Sequence, residues 1–269
     1  MRDSCSSDND CALSTHGLSV GYKRRSVARN INICMQRGTL TCLIGANGCG
    51  KTTLLRTLCG FIPPLEGEVC VAEGTDGDKR KDIGGMSGAR RARLIGVVLT
   101  DNIGTANVTV RETVALGRSP YTGFWGTLDD DDRRIVERSM AAVGINDLAD
   151  RSIQTLSDGE RQKTMIAKAL AQQTPIMILD EPTAFLDYPG KVEIIRLLVR
   201  LAHENNKTII LSTHDLEIVL QTADMLMLMS NGLLTTGTPR RLADDGFLTA
   251  FINRQGIAFH PDTLTIEVG

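Results

Sequence analysis

Gly45-Ala-Asn-Gly-Cys-Gly-Lys51-Thr52 satisfies G-x-x-x-x-G-K-[ST] and sits between an apolar run, Leu40–Ile44 (LTCLI), and the segment TTLLRTLCG. By period, the first is a buried strand and the second a helix that stops near Gly60. A strand, a glycine-rich loop and a helix in that order admit few folds. Gly45, Gly48 and Gly50 let the backbone curl until several N–H groups face one anion. The helix starting near Lys51 adds the positive end of its dipole. Lys51 is placed to reach β- and γ-phosphates, and the Thr52 hydroxyl suits Mg²⁺. The segment Gly45, Ala46, Asn47, Gly48, Cys49, Gly50, Lys51, Thr52 and Thr53 therefore predicts a nucleoside triphosphate site.

Further short apolar runs, Leu94–Leu99 (LIGVVL), Ile176–Leu179 (IMIL) and Thr208–Leu211 (TIIL), alternate with helical stretches. That alternation predicts an α/β chain with a mostly parallel sheet covered on both faces. Helices are expected over Asp129–Val143, which opens on four aspartates and stops at Gly144, over Ser157–Gln173, and over Pro189–Glu204. Ser230-Asn231-Gly232 between Met225–Met229 and Leu233–Thr236 predicts a hairpin. Glu73–Arg93 reads as a polar surface connection into a short helix.

Composition narrows the function. With 30 basic and 32 acidic side chains and net charge −2, no basic face for nucleic acid is expected. No run approaches the ~18 apolar residues needed to cross a bilayer, and the opening residues lack a signal-peptide pattern, so a cytoplasmic location is expected. Residues 1–14 read as a flexible tail. The seven cysteines, Cys5, Cys11, Cys34, Cys42, Cys49, Cys59 and Cys70, form no C-x-x-C pair, and reduced thiols are expected. Cys49, inside the loop, reads either as a tolerated small side chain or as a thiol whose modification blocks nucleotide.

Asp180 and Glu181 follow Ile176–Leu179 at the strand end where ligands collect in open α/β sheets. Asp180 is placed to hold Mg²⁺ through its water shell, and Glu181 to orient or deprotonate the attacking water.

The segment Leu156-Ser-Asp-Gly-Glu160-Arg161-Gln162 resembles the LSGGQ signature of ATP-binding-cassette (ABC) ATPases. The ordered set of Tyr22, the Gly45–Thr52 loop, this signature, Asp180-Glu181, Leu186-Asp187 and His214 resembles the same family. The resemblance covers roughly residues 13–255. It implies a P-loop NTPase (RecA-like) core, an N-terminal antiparallel β subdomain, and an α-helical subdomain inserted over about 101–160. It places the nucleotide-binding domain at 15–255 and leaves 256–269 as a C-terminal extension. It also implies two copies meeting head to tail, with ATP between the loop of one and Ser157, Gly159 and Glu160 of the other. On the same resemblance Tyr22 stacks on adenine, His214 contacts the γ-phosphate, and Asp187 couples the two sites across the dimer.

Val110-Arg-Glu-Thr-Val-Ala-Leu-Gly117-Arg118-Ser119-Pro120-Tyr121, followed by Trp125-Gly126, resembles ATPases of ferric-siderophore, haem and cobalamin importers. The implied partners are an integral-membrane permease and, indirectly, a periplasmic or surface substrate-binding protein. The chain would then lie peripherally on the inner face of the membrane. Two rivals stay open: a soluble ABC ATPase not linked to transport, and an ATP-binding regulatory module that does not hydrolyse. Three positions depart from the family pattern. Thr100, followed by Asp101 and Asn102, stands where a Gln usually reaches Mg²⁺ and water, and one of them is expected to take over that contact. Asp158 stands for a Gly, its carboxylate expected to point away from phosphate. Glu160 stands for a Gln and retains an acceptor for a ribose hydroxyl.

Overall fold

The computed structural model describes residues 11–22, 25–73, 80–99, 108–123, 126–253 and 256–268. The first half of the chain runs β1 (Cys11–Tyr22), β2 (Arg25–Gln36), β3 (Leu40–Gly45), α1 (Lys51–Leu58), β4 (Glu66–Ala72), β5 (Arg80–Asp82), α2 (Gly88–Arg91), β6 (Ile95–Val98), α3 (Val110–Ala115) and α4 (Asp130–Val143). The second half runs α5 (Asp158–Ala171), β7 (Ile176–Asp180), α6 (Tyr188–Asn205), β8 (Thr208–Ser212), α7 (Leu216–Thr222), β9 (Met225–Ser230), β10 (Leu233–Gly237), α8 (Pro239–Asp244), α9 (Phe247–Ile252), β11 (Ile257–His260) and β12 (Thr265–Val268).

The central sheet has the order β10-β9-β3-β8-β7-β6. All its pairings are parallel except β10 against β9. Every residue of β3, β7 and β8 is buried, as strands covered on both faces must be. Alternate side chains divide between two cores. Cys42, Ile44, Met177, Leu179, Ile209 and Leu211 face the cluster built with α3 to α6. Leu43, Ile176, Ile178, Ile210, Met227 and Met229 face Leu54, Leu55 and Leu58 of α1 and the antiparallel sheet β2-β1-β4-β5. The fold is a P-loop NTPase core with an N-terminal antiparallel sheet. The predicted hairpin forms, with Asn231 at φ 52° and Gly232 at φ 76° between β9 and β10. Both central residues having positive φ is the geometry that favours Asn-Gly.

Helix ends follow their sequence signals. Asp129 accepts from the Asp132 amide at 2.7 Å, Asp132 accepts from the Asp129 amide at 3.3 Å, and Gly144 closes α4 in the left-handed region. Asp132 serves twice, because its Oδ1 also receives Nε of Arg118 at 2.7 Å. Arg118 further donates to the Ala171 carbonyl (2.8 Å) and Gln173 Oε1 (3.0 Å), tying α4 to the end of α5.

Three expectations are corrected. Cys11–Ser14 are buried residues of β1, not tail, because Leu13 pairs with Met35 and Val71 inside the sheet. Cys11 and Cys34 form a disulfide between β1 and β2, with Cα atoms 5.6 Å apart, so not all thiols are free. The connection over Glu73–Arg93, where described, adds β5 to the antiparallel sheet and buries Ile83 and Met86 before reaching the short α2. At the other terminus β11 and β12 form a hairpin whose Phe259 joins the first core.

Candidate functional site

Gly45 ends β3 at the C-terminal edge of the central sheet. A Cβ there would lie 2.6 Å from the Met229 carbonyl and 2.8 Å from Cys49 Sγ, so only glycine fits. Gly50, at φ 109°, has Val27 Cγ2 2.7 Å from where its Cβ would stand. The Cys49 amide donates to the Ala46 carbonyl at 3.3 Å and closes the loop. Gly50 caps α1 without a side chain, so the first-turn amides remain directed at an incoming anion. Lys51 is 6% exposed, and its Nζ donates to the carbonyls of Gly45 (3.0 Å) and Ala46 (3.3 Å). A buried ammonium whose hydrogen bonds, among the described residues, go to carbonyls of its own loop fits an anionic ligand. Thr52, beside it, is exposed.

The second half of the site stands at the ends of β7 and β8. Register sets Asp180 opposite Ser212. The Ser212 hydroxyl donates to Asp180 Oδ1 at 2.6 Å and accepts from the Glu181 amide at 2.9 Å. Asp180 is 5% exposed, and among the described residues no hydrogen bond reaches its Oδ2. Glu181 has φ 49°, a left-handed turn that a non-glycine residue adopts at a cost and that recurs at functional sites. That turn brings Glu181 Oε1 to 3.0 Å from His214 Nε2. The structure thus joins Glu181 and His214 directly, and it gathers the Gly45–Thr53 loop, Asp180, Glu181 and His214 at the C-terminal ends of neighbouring strands. The oxygen donors Thr52 and Asp180 are of the hard type that Mg²⁺ takes, so these residues fit the ion.

Other expected residues lie apart. Ser157 is the N-cap of α5, accepting from the Glu160 amide at 3.3 Å. Glu160 Oε2 in return accepts from the Ser157 amide (2.8 Å) and hydroxyl (3.0 Å). Those bonds, the amide's first, hold the Glu160 carboxyl below its ordinary range. Asp158 turns to Arg161, 3.2 Å away, and Ser157 does the capping. A Cβ on Gly159 would meet nothing within 4 Å, so that face of the turn is open. Among the described residues, no hydrogen bond or ion pair joins Ser157, Gly159 or Glu160 to the phosphate loop of the same chain. Asp187 caps α6 by accepting from the Gly190 amide at 3.0 Å. Tyr22 ends β1, half exposed. Thr100, Asp101, Asn102 and Trp125 lie outside the described residues.

Two features escaped sequence reasoning. Ser212 bridges Asp180 and Glu181, yet in sequence it is only the polar end of TIILS; its meaning depends on β8 lying beside β7. Asp215, next to His214, accepts from Thr183 Oγ1 (2.5 Å) and Lys191 Nζ (2.6 Å), binding the turn that carries His214 to the segment after Glu181.

The residues 28–184 match the family model described as ABC transporter. An uncharacterized ABC transporter ATP-binding protein of Methanocaldococcus jannaschii is 42% identical over 219 residues, 81% of this chain and 73% of that protein. The ferric enterobactin transport ATP-binding protein of Escherichia coli is 37% identical over 226 residues, 84% of this chain and 81% of the relative. Among solved structures, CbiO1 of Clostridium perfringens, part of the transporter complex CbiONQ, superposes with TM-score 0.76 at 29% identity, covering 91% of this chain and 95% of the other. The match over more than half of the chain, with relatives of this identity and coverage on the fold described, establishes that the chain belongs to the ABC transporter family and is an ATPase.

Proposed function

We propose that the chain is the ATP-hydrolysing subunit of an importer for an iron-siderophore, haem or cobalamin, working as a pair of copies beneath a membrane permease. The observation that carries the reading is the Glu181–His214 contact of 3.0 Å beside a phosphate loop whose lysine is buried and held by loop carbonyls.

The triphosphate would exchange for the Gly45 and Ala46 carbonyls at Lys51 and take up the first-turn amides of α1. Thr52 and Asp180 would hold Mg²⁺, which supplies charge neutralisation at the phosphates when bound. Glu181, its backbone amide held by Ser212, accepts a proton from water or aligns it, and His214 keeps that carboxylate turned to the site. Tyr22 offers its ring to adenine. Catalysis is then mainly positioning and charge neutralisation, since phosphoryl transfer asks little covalent work of the protein.

One chain supplies half of each site. The open turn at Ser157 and Gly159 carries a helix N-terminus suited to the γ-phosphate of a second copy. Phe185, 85% exposed, and Tyr188, 61% exposed, flank Asp187, and a second copy would cover this apolar surface. On the helical subdomain, taken as about 101–160, exposed Leu116 and Tyr121 offer apolar surface to a permease segment. No described helix is long and apolar enough to cross a membrane.

Phosphate release from Mg-ATP by the purified chain tests the reading. Wild type should turn over, whereas Glu181→Gln should bind ATP and release almost no phosphate. Unchanged turnover in Glu181→Gln refutes the assigned base, and wild type that binds without turnover favours a regulatory module. Co-purification of an integral-membrane partner tests the importer assignment.

A further inference from the structure

Away from the nucleotide site, three side chains of different ligand class converge on the antiparallel sheet. His16 of β1 lies directly opposite Glu68 of β4, and Cys70 follows two residues along on the same face. One nitrogen of His16, one Glu68 oxygen and Cys70 Sγ all lie within 4.8 Å of one another. Cys70 is a free thiol, 9% exposed, while His16 and Glu68 are exposed. Val69 and Val71 point the other way, into the second core, so the strands beneath the cluster are anchored.

We propose that His16, Glu68 and Cys70 form a binding site for one Zn²⁺ ion, with a water or an external ligand in the fourth position. A thiolate, an imidazole and a carboxylate make a mixed sulfur, nitrogen and oxygen set that suits Zn²⁺ and not Mg²⁺ or Ca²⁺. Bonds of about 2.0–2.3 Å in a tetrahedron hold ligand atoms roughly 3.3–3.8 Å apart. With no separation above 4.8 Å, at most about 1.5 Å is left to close, a distance that rotation about the side-chain bonds of the exposed His16 and Glu68 can span. Cys70 loses its proton to solvent on binding, and the ion then staples β1 to β4. Besides Glu68, two charged groups, Asp82 and Arg80, stand close enough to act on the Cys70 thiol. Asp82, opposite Cys70 on β5, spends Oδ1 on the Gly84 amide (3.0 Å), and Arg80 Nη1 reaches Ser14 Oγ (3.5 Å).

The full chain, stripped with chelator and free of nucleotide, is titrated with Co²⁺ and then Zn²⁺, which makes the result independent of the ATPase reading. One equivalent of Co²⁺ should give a thiolate-to-cobalt charge-transfer band that Zn²⁺ abolishes by displacement. Cys70→Ser should lose the band. His16→Asn and Glu68→Gln, at exposed positions that preserve the fold, should each weaken Zn²⁺ binding by at least about tenfold, and Cys49→Ser should keep the band. A band that survives Cys70→Ser, a band lost in Cys49→Ser, or Zn²⁺ affinity unchanged in both exposed variants overturns the site.

Discussion

Replacing Ser212 by Ala removes one hydroxyl that serves two partners, the buried Asp180 carboxylate and the part-buried Glu181 amide. Its Oγ donates to Asp180 at 2.6 Å and accepts from the Glu181 amide at 2.9 Å, and Ser212 itself is fully buried. Methyl can do neither, and no water fits in the space of one oxygen. Each orphaned group costs about 1–3 kcal/mol, so stability should fall by about 2–6 kcal/mol. Catalysis should suffer separately. The Glu181 turn, at φ 49°, is held open by that amide bond, and without it the backbone relaxes and the carboxylate leaves His214. A hydrogen bond to a charged group is worth about 1.5–3 kcal/mol. If that much is lost only in the transition state, kcat drops roughly 10- to 150-fold. Steady-state phosphate release at saturating Mg²⁺ should therefore show a large fall in kcat with KM for ATP within a few-fold of wild type. A variant that unfolds earlier in urea yet keeps wild-type kcat would refute the bridge as the element that aims Glu181.

Arg118→Met leaves Asp132 buried without its cation, the pair's side chains being 7% and 10% exposed, and should cost about 3–5 kcal/mol in urea unfolding; a loss under about 1 kcal/mol contradicts the role given to the pair. Lys191→Met frees Asp215 from one of its partners and should lower kcat more than ATP affinity, as separate turnover and nucleotide-binding measurements would reveal. Reducing Cys11–Cys34, which closes a separation of 23 residues, should lower stability by about 3 kcal/mol, and Cys11→Ser should abolish the difference between oxidised and reduced protein. The Glu160 carboxyl lies below its ordinary 4.5 in the folded chain, so its contribution is complete above that pH and fades as pH falls through the lower folded value. Acid unfolding of wild type and Glu160→Gln should therefore differ most above that pH and converge on acidification.

Legibility in the sequence followed the range of the forces involved. β3, its loop and α1 could be read because apolar run, glycines and helix start are contiguous, and α4 because four aspartates sit where the dipole favours them. Ser157 was legible as the start of a helix, and its capping box with Glu160 explains how a glutamate is accommodated there. β1 was harder. It is buried at nearly every position and bulged in its pairing with β2, so no alternation marks it, and its first residues pass for tail. The Cys11–Cys34 bridge and the Ser212 bridge share one cause, since each joins residues whose proximity depends on strand order. Strand order comes from crossovers such as β3 seated between β8 and β9, which no local pattern encodes.

The sandwich of two copies around ATP is tested most directly by sedimentation of Glu181→Gln with and without Mg-ATP. A monomer is expected without nucleotide and a dimer with it, and a return to monomer when Ser157→Arg is added, because that side chain would fill the open turn proposed to receive the partner's phosphate. A Glu181→Gln chain that binds ATP and stays monomeric at high protein concentration, or a dimer indifferent to Ser157→Arg, would contradict the sandwich.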